Sequence, residues 1–279
     1  MLSFIKRKLE KRRLKRTFRE YGYEIKSFQL QEVGRVDYAQ WLHPFEGPKE
    51  ITDAQIAFYR RLASPGSLII DVGAHTGDTT VPMGLASGPE GLVLGLEPNP
   101  YVFKILEKNA SLNPGKMKLV PLPFAATPAD GTFTFHYSDA SFCNGGYLSQ
   151  LEGQASDHNY ELEVTGKDFD RYLRTHYADW LPRLELLKVD AEGFDKDILE
   201  NLSGIIAEYR PSIMAECYNK LTGAERKELY RAIARHGYTV YLNDTDYLRE
   251  GFVAEADWIE LTAETMDRQR HFEIVAIPD

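Results

Sequence analysis

Apolar runs that switch between a period of two and a period near 3.6 predict an α/β, Rossmann-like fold. The expected core is a seven-stranded, mostly parallel sheet with its last strand antiparallel, preceded by an N-terminal helical extension. Three observations carry this. Strand-sized and helix-sized patterns alternate from about residue 51. A glycine-bearing loop, Asp71 to Asp78, follows the first strand. The chain has 279 residues, 43% of them hydrophobic, enough to close one large core.

The elements follow in order. Residues 2–20 are expected to form a basic helix, although the stripe of Leu2, Ile5 and Leu9 slips out of phase before Leu14 and Phe18. Residues 21–50 carry Tyr21, Tyr23, Tyr38, Trp41 and Phe45 among His43-Pro44 and Gly47-Pro48, an aromatic, turn-rich lead-in that caps a pocket or covers a sheet edge. The chain therefore divides into an extension over 1–50 and a catalytic-type domain over 51–279.

Within that domain, helix 53–63, strand Ser67 to Val72, helix 78–87, strand Leu92 to Glu97, helix 100–110 and strand Lys118 to Phe124 make a βαβαβ run. The third helix is signed by Asn99 as N-cap and Pro100 at its first position, with Val102, Ile105 and Leu106 on one face. Thr132 to Tyr137 and Leu162 to Thr165 alternate as an inserted hairpin around a polar loop containing Asn144-Gly145-Gly146. The alternation resumes with strand Leu184 to Asp190, helix 194–202, strand Ser212 to Cys217, and a helix opened by a Thr222/Glu225 capping box. Tyr238 to Leu242 and Phe272 to Ile277 complete the strands, joined by a long acidic segment that lets the last one run antiparallel.

Composition narrows the partners. Residues 1–20 hold nine Lys or Arg against two Glu, leaving 24 basic against 40 acidic residues, a net charge of −16, in the body. Such a body lacks the basic track that nucleic acid requires, so a small or neutral acceptor is expected instead. The basic terminus is expected either to make a peripheral contact with an anionic membrane surface or to pack as a solvated helix. No apolar run approaches a membrane span, and charge follows the first few residues too closely for an export signal, so a cytoplasmic location is expected, with any inner-membrane contact peripheral. Cys143 and Cys217 form neither a disulfide framework nor a metal motif.

In an open parallel sheet, ligands sit beyond the carboxyl ends of the strands where the strand order reverses. The first strand ends in Asp71-Val72-Gly73-Ala74-His75-Thr76-Gly77-Asp78-Thr79, with glycines spaced G-x-x-x-G. A dinucleotide loop would read G-x-G-x-x-G, and here His75 stands where its second glycine belongs. Asp71 repels a pyrophosphate but suits the ammonium and sulfonium of S-adenosylmethionine (SAM). The second strand ends in Glu97-Pro98-Asn99, and Glu97, 24 residues after Gly73, is placed to accept both ribose hydroxyls. Phe124 and Ala125 close the third strand with a surface for a flat adenine.

The fourth strand ends in Asp190-Ala191-Glu192-Gly193 and the fifth in Glu216-Cys217, which brings three carboxylates to one rim. Transfer of a methyl group to a hydroxyl needs an in-line approach and a base near the hydroxyl proton. Asp190 is expected nearest the transferring methyl, with Glu192 or Glu216 as the base and His75, His136 and His43 as rivals. The same carboxylates have oxygen chemistry suited to Mg²⁺, but no spacing is diagnostic and no metal is expected.

From Ile51 to Cys217 the chain resembles the FkbM family of SAM-dependent methyltransferases. The resemblance rests on DVGAHTGDTT from Asp71, LEPNPYVF from Leu96, FAAT from Phe124, YSDASFCNGG from Tyr137 and LKVDAEGFD from Leu187. It implies a class I methyltransferase sheet and SAM across the first two strand ends. Gly73 to Thr79 would hold its methionine end, Glu97 the ribose, and Phe124 with Ala125 the adenine. It also implies O-methylation of sugars or natural-product hydroxyls. The SDASFCNGG segment is similar to versions in members associated with bacterial surface polysaccharides, which points Asp139 and Asn144 towards the acceptor. Sugar O-methylation is thus expected, with a small natural product as the alternative acceptor. A non-catalytic glycan-binding protein on the same fold is the alternative from another class.

Overall fold

A computed structural model of the chain describes residues 13–143, 147–148, 160–243, 258–268 and 272–279. Leu2, Ile5, Leu9 and the Asn144-Gly145-Gly146 turn lie outside the described residues.

The terminal helix ends earlier than the expected residue 20. Residues 13–16 are helical, and the chain then extends from Thr17. The aromatic lead-in is a β-hairpin, with β1 (Tyr23–Leu30) pairing antiparallel to β2 (Gly34–Trp41) across a turn in which Gly34 has φ +68°. β2 lies against α3 (Pro100–Ser111): Asn109 and Asn113 each exchange side-chain hydrogen bonds with its backbone, at Ala39 and Asp37.

The central sheet has the order β13-β12-β14-β11-β10-β3-β4-β5. Its strands are β3 (Leu68–Val72), β4 (Leu92–Leu96), β5 (Leu119–Leu122), β10 (Leu184–Val189), β11 (Ser212–Cys217), β12 (Tyr238–Asn243), β13 (Ile259–Glu260) and β14 (Phe272–Pro278). The seven expected strands are joined by one more, the two-residue edge strand β13. β14 runs antiparallel between β11 and β12, as the long acidic segment before it suggested. The order reverses between β3 and β10, which fixes the Rossmann-like switch point there.

β3 and β4 are buried throughout, as continuous apolar runs covered on both faces require. One core holds Leu68, Ile70, Leu94 and Leu187 on one face, and the other holds Ile69, Val93, Leu186 and Met214. Helices start where caps direct. α1 (Asp53–Leu62) opens with a Thr52/Gln55 capping box, and α7 (Gly223–Ala234) with the expected Thr222/Glu225 box. α2 (Thr80–Ser87) is wholly buried.

One expectation about the strands needs correction. The third strand of the run stops at Leu122, and Ala125–Thr127 forms β6 in a second sheet ordered β6-β9-β7-β8 with β7 (Gly131–Tyr137), β8 (Tyr147–Leu148) and β9 (Tyr160–Asp168). The break falls after Pro121 and Pro123, which cannot donate to a continuing ladder. The helix expected over 194–202 is α5 (Asp195–Asn201), and a further helix, α6 (Ser203–Tyr209), follows it directly. Between the second sheet and β10 lies α4 (Phe169–His176). Among the described residues no helix is long and apolar enough to cross a membrane.

Candidate active site

The carboxyl ends of β3, β4, β10 and β11 and the amino end of the antiparallel β14 share one rim, and the loops after β3 and β10 meet there. Gly73 has φ +84°, and a Cβ added to it would lie 1.9 Å from the carbonyl oxygen of Asp190. Only glycine permits that approach. The amides of Gly73 and Ala74 both donate to the Leu96 carbonyl, which ties the loop to β4. His75 (φ 47°) and Glu192 (φ 51°) are left-handed on the two facing loops, a strained backbone of the kind that gathers at functional sites.

Glu97 is buried at the end of β4. Burial raises its carboxyl above the usual range, while His75 and the backbone amides of Asn99 and His75 act in the opposite direction. The Asn99 amide donates to Glu97 Oε1 at 2.8 Å. The Asn99 side chain caps α3 at Tyr101 and donates to the Phe142 carbonyl, while His75 Nε2 lies 3.2 Å from the Cys143 carbonyl. The 139–143 loop therefore lies over the β3 and β4 ends.

Several expected contacts are already committed within the chain. Asp71 is fully buried. One of its oxygens accepts from Lys188 Nζ at 3.1 Å, and the other from the Thr79 and Thr80 hydroxyls at 3.1 and 2.7 Å. Its charge faces Lys188 instead of an incoming cation. Thr76 is buried against the Tyr38 hydroxyl at 2.8 Å, and Asp78 pairs with Lys49 at 2.7 Å. Burial pushes the Asp78 carboxyl up, but Lys49 and His75 outweigh it and hold it low.

Asp139 is turned inward. It accepts from the amides of Ser141 and Cys143 and lies 3.6 Å from His43 Nε2, so it builds its own loop. Burial opposes its charge, yet these partners keep its carboxyl below the ordinary value. Phe124 is also turned in, its ring against Phe169 and Tyr172, with the adjacent Ala125 in β6. That ring is core and does not present a face to adenine. Asn144 lies outside the described residues.

The far side of the rim is different. Asp190 is the exposed member, its side chain 40% accessible, with Oδ2 3.3 Å from Lys188 Nζ. Burial and the Asp190 charge push the Glu192 carboxyl up to about 7, against the pull of His75, Lys220 and a hydrogen bond from Tyr218. Glu216 is pushed up to about 10 by burial, Asp190 and Asp195. Asp195 is pushed up to about 8 by burial and Asp190, although the Glu216 amide donates to it at 3.1 Å. Burial and crowding therefore favour the protonated form of Glu216 more strongly than that of Glu192. A small hollow lined by Lys188, Asp190, Met214, Glu216 and Glu273 opens beside them. Among the described residues no group of three or more His, Cys, Asp and Glu side chains is arranged to hold a metal ion.

Lys188, Asp195, Tyr38, Lys49 and Asn109 were not among the expected site residues. A lysine inside the apolar run LELLKV, and Asn109 four residues after Ile105 on the buried face of α3, were the available signals. Tyr38 lies in a stretch of β2 that is buried from Tyr38 to Trp41, and no spacing in the sequence marks it.

Residues 71–240, well over half of the chain, match the model of a family described as Methyltransferase FkbM domain. No curated protein matches the chain. Similar solved structures include a methyltransferase FkbM from Methylobacillus flagellatus KT, at 12% identity over 79% of this chain and 50% of that one, TM-score 0.43. A SAM-dependent O-methyltransferase from Thermotoga maritima is 11% identical over 91% of this chain and 77% of that one, TM-score 0.40. A precorrin-6y C5,15-methyltransferase from Geobacter metallireducens GS-15 is 13% identical over 80% and 86%, TM-score 0.39.

Proposed function

The chain belongs to the FkbM family of SAM-dependent methyltransferases, and from that premise we propose that it O-methylates a sugar hydroxyl in a bacterial surface glycan or its precursor. SAM supplies an electrophilic methyl group carried on a sulfonium. The residues present fit it: Gly73 lets the loop after β3 lie directly against the Asp190 backbone, which brings the two facing loops to one place, and Glu97 offers a buried carboxylate to hydroxyl donors. In this proposal the backbone from Gly73 to Thr79 receives the methionine end, Glu97 with Pro98 and Asn99 the ribose, and Asp190 the region nearest the methyl group.

Glu192 is the single observation that carries the hydroxyl acceptor. A hydroxyl must lose its proton as its oxygen forms the new bond to carbon, and a base is most effective when its pKa lies near the working pH. Glu192, at about 7, meets that condition. Glu216, at about 10, keeps its proton and donates a hydrogen bond to the acceptor. The Asp190 carboxylate and the base form of Glu192 favour a neutral sugar over a phosphorylated or uronic one, because like charges repel. The test is to supply labelled SAM with fractionated envelope glycans: label in a sugar methyl ether supports the proposal, and the absence of label from every glycan fraction rejects it.

The basic terminus is proposed to touch an anionic membrane surface, with the protein otherwise in the cytoplasm. Supporting it are Arg13, Lys15, Arg16 and Arg19 around an exposed Phe18, in a segment hydrogen-bonded to the 139–141 loop through Lys15, Thr17 and Arg19. Co-sedimentation with anionic vesicles is expected to be lost when residues 1–20 are removed, and equal pelleting of both forms would reject the contact.

A further inference from the structure

Lys188 is a lysine in the middle of a parallel sheet. β10 has a strand on each side, and Lys188 is only 3% exposed. Positions of this kind normally take Val, Ile or Leu, and a buried ion pair stabilises a fold no better than well-packed apolar residues would. Stability alone therefore does not explain a lysine here.

Its surroundings form one connected path. Nζ donates to Asp71 Oδ1 at 3.1 Å and to Asp190 Oδ2 at 3.3 Å. The other Asp71 oxygen accepts from Thr79 and Thr80, at the entry to α2. Hydrogen bonds thus run from the end of the cofactor loop, through β3, to the tip of β10. The other groups that face the ammonium are Tyr59 of α1 and Glu273 of β14, and Glu216 of β11 lines the same hollow. Burial works against the ammonium, but Asp71 and Asp190 outweigh it and hold Lys188 well above its ordinary value.

We infer that Lys188 is a positioning residue: its ammonium, fixed by Asp71 and the two threonine hydroxyls, sets the Asp190 carboxylate at the junction of the two rims and through it the charge state of the acceptor side. Lys188 has this role only if the cofactor lies at the β3 and β4 ends, as proposed above. Asp190 lies beside Glu192, Asp195 and Glu216 and raises the proton affinity of all three. A change at Lys188 therefore reaches groups it does not touch.

The test is the affinity of the full-length protein for S-adenosylhomocysteine, measured by calorimetry from pH 5.5 to 9. The proteins compared are the wild type, Lys188→Arg, Lys188→Met, and the double variant Lys188→Met/Asp71→Asn, which removes both buried charges so that neither is stranded. Lys188→Met is expected to bind about tenfold more weakly, with the midpoint of the pH dependence raised by roughly one unit, because the rim has lost its cation. Lys188→Arg should restore the wild-type midpoint. The double variant, folded by its melting curve, should keep the raised midpoint. If it shows wild-type affinity and midpoint instead, Lys188 merely balances Asp71 and the inference is overturned. Should Lys188→Met not fold, the double variant decides alone. Absence of binding in the wild type would overturn the cofactor assignment, and the role of Lys188 with it.

Discussion

The two halves of the rim treat their carboxylates in opposite ways. On the side proposed for the cofactor each one has a partner: Asp71 has Lys188, Asp78 has Lys49, Asp139 has His43 and its own loop amides, and Glu97 has the amides of Asn99 and His75. On the side proposed for the acceptor Glu192, Asp195 and Glu216 lie close together around Asp190, and burial, with the Asp190 charge added, lifts their proton affinities. Paired charges hold geometry, whereas crowded acids exchange protons. A cofactor that must always bind in one pose suits the first arrangement, and a reaction that removes a hydroxyl proton suits the second.

The largest effect is expected where the halves touch. Gly73→Ala sets a Cβ against the Asp190 carbonyl and forces a left-handed backbone on alanine. S-adenosylhomocysteine affinity should fall on the order of a hundredfold. A calorimetric titration that gives wild-type affinity for this variant would break the close-approach argument. Glu97→Gln comes next, with an expected loss of about tenfold or more from weakened hydrogen bonds to the ribose hydroxyls. That loss should disappear for a ligand without those hydroxyls, and an equal loss for both ligands would mean that Glu97 only supports the loop.

The halves should also differ in how pH acts on stability. Asp195 and Glu216 have raised folded-state values, about 8 and about 10, so between the unfolded carboxyl range near 4 and those values the folded state binds more protons than the unfolded one. Their contribution to stability is therefore full at low pH and is lost as pH rises towards 8 to 10. Asp78 and Asp139 are lowered, so their contribution is present above about 4 and is lost as pH falls below it. The melting temperature of the ligand-free protein should drop from pH 5 to 9, and Asp195→Asn should flatten that slope. An unchanged slope in Asp195→Asn would remove Asp195 from the acid cluster. The smallest effect is expected from Lys49→Met, a severalfold loss of S-adenosylhomocysteine affinity through the partly exposed Lys49–Asp78 pair. An affinity identical to wild type would show that the 43–49 segment does not tune the loop.

What could be read from the sequence was local. The Asn99 cap, the Thr222/Glu225 box, the glycines at 73 and 77 and the carboxylate at 97 each depend on a few neighbouring residues, and each stands where it was expected. What escaped depends on partners distant in the chain. Lys188 meets Asp71 across 117 positions, so a lysine in a strand gave no sign of its role. Asp139 and Phe124 looked available because sequence does not show which way a side chain turns, and both turn inward. The hairpin at 23–41 was hidden by aromatics on a strand whose outer face is polar and largely exposed.

The division of labour between the halves is tested most directly by the pH profile of methyl transfer to the labelled glycan fraction, in the wild type and in Glu192→Gln. The wild-type rate should rise through a single ionisation near 7, and Glu192→Gln should be slower at every pH without that step. A Glu192→Gln variant that keeps both the rate and the midpoint would contradict Glu192 as the base and the acceptor rim as the place where the proton goes.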